Sequence, residues 1–126
     1  MPKKPKPKLK AKNPRYVWLG KRISELRMEQ GLSLRVMAKE IGVQPAYVSK
    51  IENGEVPPSE KFIQDAAKIL NEDPNALFFY TGKLTEELFQ TITKQPKAFA
   101  DLIKQLKNAP ENAILRVIRE VRTGEW

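Results

Sequence analysis

Apolar residues spaced three and four positions apart recur from residue 14 onward, and this spacing predicts helices. The first predicted helix begins at Asn13-Pro14, where Asn can cap and Pro suits the first helical position, and it stops at Gly31. A second helix over 34–41 and a third over 44–53 follow. The apolar residues expected on the inner faces of these helices are Leu19, Ile23, Leu26, Leu34, Met37, Ala38, Ile41, Val48 and Ile51.

Five further helices are predicted after Pro57-Pro58 interrupts the chain. Ser59 caps the fourth, and a short fifth helix opens at Asp73-Pro74 before Thr81-Gly82. The last three patterns cover about 85–93, 96–107 and 110–122. No stretch alternates with period two over the length of a strand, so we expect an all-α protein. The C-terminal stripes contain Phe99, Leu102, Ile103, Leu106, Ile114, Val117, Ile118 and Val121.

Composition narrows the chemistry available to the chain. It contains neither Cys nor His, which excludes a disulfide framework, a thiol nucleophile and a zinc site of the usual Cys/His type. No arrangement of carboxylates or of Ser and Lys stands out from ordinary helix surface, so we expect no enzyme, no metal and no cofactor. No apolar run approaches a membrane span of about 18–20 residues, and no signal-peptide core follows the lysine-rich start, so an intracellular protein is expected.

The net charge of +8 predicts a polyanionic partner, and its distribution is uneven. Residues 1–15 hold seven basic residues and no acidic one, whereas residues 16–93 hold nine basic and eleven acidic residues. We expect residues 1–13, the basic arm, to be disordered, because this proline-rich segment has too little apolar surface to offset the entropy of ordering. It could follow DNA phosphates or the minor groove, or act only as a solubilising tail. Its lysines are Lys3, Lys4, Lys6, Lys8, Lys10 and Lys12.

The most informative spacing lies between Leu32 and Gly54. Two short helical patterns with apolar sides are separated there by only Gly42-Val43, and Gly suits the positive φ that a sharp turn requires. The second helix would therefore project from the first. A projecting helix with a polar outer face fits the major groove of B-DNA, so this spacing predicts a helix-turn-helix.

The stretch from Leu19 to about Gly82 resembles the helix-turn-helix domain of Cro/cI-type repressors, also called the xenobiotic-response-element family. The resemblance implies a five-helix, lambda-repressor-like DNA-binding domain over 14–82 and a sequence-specific transcriptional regulator, most often a repressor, of bacterial or phage type. It would act in the cytoplasm, associated with the nucleoid. The residues that carry the resemblance are Leu19, Gly20, Ile23, Leu26, Arg27, Leu32, Ala38, Gly42 and the string YVSKIENG over 47–54.

In that family the third helix reads base edges, and phosphate contacts position the domain before any base is read. The resemblance places base contacts at Gln44, Pro45, Ala46, Tyr47, Ser49 and Lys50, and phosphate contacts at Ser33, Arg35, Lys39 and Asn53. Gln44 and Pro45 could instead serve only to start the helix, and Arg35 and Lys39 could be ordinary solvated residues.

Two further features follow from the resemblance. Arg27 and Glu52 match a partly buried ion pair that ties the first helix to the end of the third. Leu34, in contrast, stands where the family often has Gln, so a phosphate contact is lost there unless Ser33 or Arg35 replaces it.

Residues 83–126 form a helical segment whose role the sequence leaves open. The segment could form a homodimer on a palindromic operator of double-stranded DNA, or its stripes could fold back on the DNA-binding domain. In a second reading the protein is an antitoxin or adaptor that binds a protein partner through residues 84–126. A third class, an interaction module that has lost DNA binding, is disfavoured by the polar residues Gln44, Ser49, Lys50 and Asn53.

Overall fold

The structure is a computed structural model that describes residues 13–124. Within that range the chain is helical and contains no strand, as the sequence pattern predicts. The helix bounds agree with the predicted ones to within a residue or two at the ends. The helices are α1 (Pro14–Glu29), α2 (Leu34–Ile41), α3 (Pro45–Glu52), α4 (Glu60–Leu70), α5 (Pro74–Phe79), α6 (Glu86–Lys94), α7 (Pro96–Leu106) and α8 (Glu111–Thr123).

Short polar side chains begin four of the first five helices. Asn13, Ser33, Ser59 and Asp73 each accept a hydrogen bond from a backbone N–H in the first turn of α1, α2, α4 and α5, respectively. These bonds satisfy donors that have no partner within the helix. The start of each of these helices is therefore specified locally.

The turn between α2 and α3 uses a left-handed glycine. Gly42 has φ 86° and ψ 34°, and both its N–H and that of Val43 donate to the carbonyl oxygen of Ala38, at 2.8 and 2.9 Å. Gln44 then returns to an extended conformation before α3 begins. Because the chain reverses within two residues, α3 leaves α2 at a sharp angle, as a helix-turn-helix requires.

The chain divides into two compact units at Thr85 and Glu86. Unit 1, residues 13–85 of the described chain, contains α1–α5 and a core in which every helix contributes at least two buried side chains. Burial of these apolar groups is the principal stabilisation of the unit. The core consists of Leu19, Ile23, Leu26, Met37, Ala38, Val48, Ile51, Phe62, Ile63, Ala66, Ala67, Leu70, Leu77 and Phe78.

Unit 2, residues 86–124, contains α6, α7 and α8 and differs from unit 1 in its packing. None of its described residues is buried, although each helix carries an apolar stripe. Phe99 and Leu106 are half-buried, whereas Ile103, Leu115 and Val121 are each at least 60% exposed. Unit 2 therefore has regular helices without a closed core.

Candidate nucleic-acid interface

The two sides of α3 differ in exposure. Val48 and Ile51 are buried in the core of unit 1, while Pro45, Ala46 and Lys50 are exposed on the opposite side. We call the latter side, together with Gln44, the outer face of α3. The core thus holds the helix by one side and leaves the other free for a ligand.

Gln44 lies at the N-cap position of α3 but its side chain makes no capping hydrogen bond. Its amide is exposed and keeps both a donor and an acceptor for another partner. Ser33, in contrast, accepts a hydrogen bond from the N–H of Val36 at 3.1 Å. The Ser33 side chain therefore caps α2, whereas the Gln44 side chain has no capping role at the start of α3.

Tyr47 lies at the border of the outer face. Its ring is half-buried and meets the ring of Phe62 edge-on, with the ring centroids 5.6 Å apart and the planes at 90°. Such a T-shaped contact is a favourable aromatic geometry. The ring of Tyr47 therefore couples α3 to α4. Ser49 is also half-buried.

The predicted phosphate contacts lie at two places in unit 1. Arg35 and Lys39 are exposed one turn apart on α2, and Asn53 is exposed at the C-cap of α3. Leu34 begins α2 and packs against the core with its side chain half-buried. Its contribution is therefore apolar packing, and Arg35 is the first residue of α2 that offers charged donors.

Arg27 and Glu52 form the predicted ion pair. The Arg27 Nε donates to Glu52 Oε2 at 2.8 Å and Nη2 donates to Oε1 at 3.0 Å. The Arg27 Nη1 also donates to the carbonyl oxygen of Leu32 at 2.8 Å, in the connection that leads to α2. The carboxylate raises the pKa of Arg27 above its ordinary value, chiefly through the hydrogen bond. One guanidinium thus connects α1, the start of the helix-turn-helix and the end of α3.

Gly20 has a positional role that the sequence pattern alone does not reveal. It lies inside α1, and a Cβ atom there would overlap the carbonyl oxygens of Ile51 and Glu52. Gly54, which follows α3 and has φ 71°, likewise lies close to the backbone of Val17 on α1. In the sequence, the sign of this contact is a glycine in the middle of a helical pattern. A glycine there is unfavourable unless another backbone approaches closely.

The basic arm, membrane-spanning helices and acidic metal sites remain to be considered. The lysines of the basic arm, Lys3 to Lys12, lie outside residues 13–124. Among the described helices none is long and apolar enough to cross a membrane. Between residues 13 and 124 no group of three or more acidic side chains is placed to hold a metal ion.

The geometry of α2 and α3 defines a helix-turn-helix domain, and comparisons with known proteins place it in a family. The model of a family described as helix-turn-helix matches residues 23–77. The ImmF control region 10 kDa protein of Bacillus phage phi105 is 38% identical over 69 residues, which cover 55% of this chain and 77% of that protein. The HTH-type transcriptional regulator SinR of Bacillus subtilis is 29% identical over 109 residues, covering 74% of this chain and 98% of SinR.

A solved structure is similar as well. The crystal structure of the restriction-modification controller protein C.AhdI from Aeromonas hydrophila has 32% sequence identity and a TM-score of 0.50, covering 52% of this chain and 98% of that one. The chain belongs to the helix-turn-helix family of Cro/cI-type DNA-binding transcriptional regulators. This family is a class of regulators rather than a class of enzymes.

Proposed function

We propose that this regulator reads operator DNA with the outer face of α3 placed in the major groove. The observation that carries the proposal is the exposure of Gln44 and Lys50 on a helix whose other side is buried. The Gln44 amide can pair with adenine N6 and N7, and the Lys50 ammonium can donate to guanine O6 and N7. Pro45 and Ala46 offer apolar contact with a thymine methyl group.

The residues around α3 are proposed to orient the domain on the duplex. Arg35 and Lys39 on α2 and Asn53 at the end of α3 would contact phosphates on either side of the groove. The basic arm would add sequence-independent affinity, because lysines release counterions when they neutralise phosphates. Charge would then set the strength and salt sensitivity of binding, and the outer face of α3 would set its sequence preference.

The operator is proposed to be a palindrome bound by two copies of the chain. Helix α3 has eight residues and spans only about 12 Å, so one copy can contact only a few base pairs. Two copies related by a two-fold axis would read two half-sites about one helical turn apart. Repression would follow from occlusion of a promoter by the bound dimer, in a cytoplasmic protein associated with the nucleoid.

A second candidate function is an antitoxin or adaptor that binds DNA through unit 1 and a protein partner through unit 2. The exposed apolar stripes of α7 and α8 are the observation that favours a protein ligand of some kind. A different protein that copurifies with the chain in a fixed ratio would support this candidate.

Selection of bound duplexes from random DNA with the purified protein tests the proposed function. The expected result is a palindromic consensus, and the variant Lys50→Ala should lose its preference at one base pair of each half-site. Asn112→Ala, which changes an exposed residue of unit 2, is the control and should recover the same consensus as the native chain. Recovery of unrelated sequences by the native protein would refute the proposal.

A further inference from the structure

The first turn of α4 lies beside the helix-turn-helix, at the border of the outer face of α3. The ring of Phe62, the third residue of α4, meets the ring of Tyr47 edge-on, with the centroids 5.6 Å apart. Phe62 is buried, whereas Lys61, which precedes it, is exposed. The aromatic contact therefore holds an exposed cation next to the helix that is proposed to read DNA.

A shallow cleft brings Lys61 together with the turn of the helix-turn-helix. The turn residues Gly42 and Val43 line this cleft together with Tyr47 of α3 and with Lys61 and Asp65 of α4. Its volume is about 90 Å³, which is too small for a metabolite, since pockets for small molecules measure about 300–1,000 Å³. The cleft shows instead that Lys61 lies beside the residues that lead into α3.

The ammonium of Lys61 has no carboxylate partner among residues 13–124, where the salt bridges involve other basic residues. Glu60, although adjacent in sequence, lines a different cleft together with Tyr16 and Thr81. Asp65 is half-buried and lies one helical turn further along α4. The charge of Lys61 is therefore available to an anion from outside the chain.

A helix that enters the major groove fills it. An α-helix with its side chains is about 10–12 Å wide, and the groove is about 12 Å wide. Side chains on the outer face of such a helix meet base edges, whereas groups beside the helix meet the phosphates that border the groove. Lys61 is in the second position, because it belongs to α4 and lies beside Tyr47 at the border of the outer face.

We propose that Lys61 binds a DNA phosphate and thereby positions the N-terminal half of α3 in the groove. The inference rests on the proposed placement of α3 in the major groove. The flexible four-carbon stem of lysine suits this contact, because its ammonium is a compact charge that can donate in several directions. Arg35 and Lys39 would act from α2, so Lys61 adds a charged contact from another helix of the domain.

Salt titration of the full-length protein on a duplex with one selected half-site tests this inference. In Lys61→Ala the slope of log K against log salt should become less steep by about 0.9, because one phosphate fewer is neutralised. The affinity ratio of native protein to variant should therefore fall about threefold between 50 and 200 mM salt. The selected consensus should not change, since a phosphate carries no sequence information.

Two further variants serve as controls. Lys68→Ala removes the same charge from the same side of α4, about 10 Å further along the helix, and should keep the native slope. Lys61→Arg keeps the positive charge and should also keep the native slope. Both lysines are exposed, so the midpoints of urea unfolding of the two alanine variants should equal that of the native protein.

The outcomes separate this inference from the proposed function. A native slope in Lys61→Ala, an equal loss of slope in Lys68→Ala, or an altered consensus in Lys61→Ala would each overturn the phosphate contact while leaving the proposed function intact. A native protein that selects no DNA sequence would overturn the proposed function and, with it, this inference.

Discussion

Arg27 on α1 and Glu52 at the end of α3 are joined by two parallel hydrogen bonds of 2.8 and 3.0 Å. The side chains are only 12% and 8% exposed, so the pair lies mostly out of water. A bidentate contact of this kind fixes direction as well as distance. The pair therefore fixes the end of α3, the helix that carries the proposed base contacts, against α1.

Replacement of Glu52 by Ala should lower both stability and DNA affinity. It leaves the guanidinium of Arg27 without its carboxylate partner in a mostly buried position, which should cost about 2–4 kcal/mol of the free energy of unfolding. Urea denaturation and operator titration measure the two effects. A free energy of unfolding equal to that of the native protein would refute this role.

Arg22→Ala is the control, because it also removes one partner of an ion pair that α1 makes, but at a more exposed position. Arg22 lies 3.4 Å from Glu25 and 3.7 Å from Glu72, with 36% of its side chain exposed. Exposed pairs contribute about 0–1 kcal/mol, so the loss should be several times smaller than for Glu52→Ala.

Gly20→Ala should destabilise the protein although Ala is the better helix former. Helix propensity alone predicts a gain of about 0.5–1 kcal/mol. The added Cβ would lie 2.5 Å from the carbonyl oxygen of Glu52, and a backbone atom cannot turn away as a side chain can. We expect a net loss of about 1–3 kcal/mol in thermal or urea unfolding, so a gain in stability would contradict the close packing of α1 on α3.

Lys50→Ala and Arg35→Ala should weaken DNA binding in different ways. Lys50 lies on the outer face of α3, so its loss should cost about 1–3 kcal/mol on the selected operator and relax the preference at one position. Arg35 lies on α2, so its loss should weaken binding to all sequences and lower the slope of log K against log salt by about one. Equal effects of both variants on preference would contradict these assignments.

Tyr47→Phe should separate the packing of the Tyr47 ring against Phe62 from the expected base contact of its hydroxyl. The substitution keeps the ring against Phe62 and removes only the hydroxyl, so the free energy of unfolding should change by less than about 0.5 kcal/mol. If the hydroxyl contacts a base, the selected consensus changes while the fold does not. Tyr47→Ala should lose about 2–3 kcal/mol of stability, because the aromatic contact to α4 is removed.

Deletion of residues 2–12 should reduce the salt dependence of DNA binding. The deletion removes six lysines of the basic arm. If these lysines contact phosphates, the slope against log salt should fall by up to about five, while the selected consensus remains that of the full chain. Identical slopes for the two proteins would show that the arm makes no phosphate contact.

Much of unit 1 could be predicted because its helix boundaries are encoded locally. Ser33 and Ser59 begin α2 and α4 with side-chain caps, and Gly42 ends α2 in the left-handed conformation that L side chains rarely adopt. These signals depend on interactions within a few residues, which a single sequence displays. The apolar spacing likewise indicated which side of each helix faces the core.

Contacts between distant residues were harder to predict. The partnership of Arg27 and Glu52 followed from a family resemblance, since nothing local connects residues 25 positions apart. The contact of Gly20 with the end of α3, and that of Tyr47 with Phe62, became visible only in the structure. Both depend on the angle at which helices cross, which spacing along one helix does not specify.

The sequence by itself determined an all-helical chain, a sharp turn at Gly42 and a third helix whose outer face carries the polar side chains of Gln44 and Lys50, because caps, glycine conformation and apolar period are local properties. Tertiary structure decided which side chains are held by distant partners: it pairs Arg27 with Glu52 and packs the Tyr47 ring against Phe62. It also separated the stripes that form a core in unit 1 from those that stay exposed in unit 2. The physical reason is that an amphipathic pattern requires an apolar partner for each helix but does not state which surface supplies it.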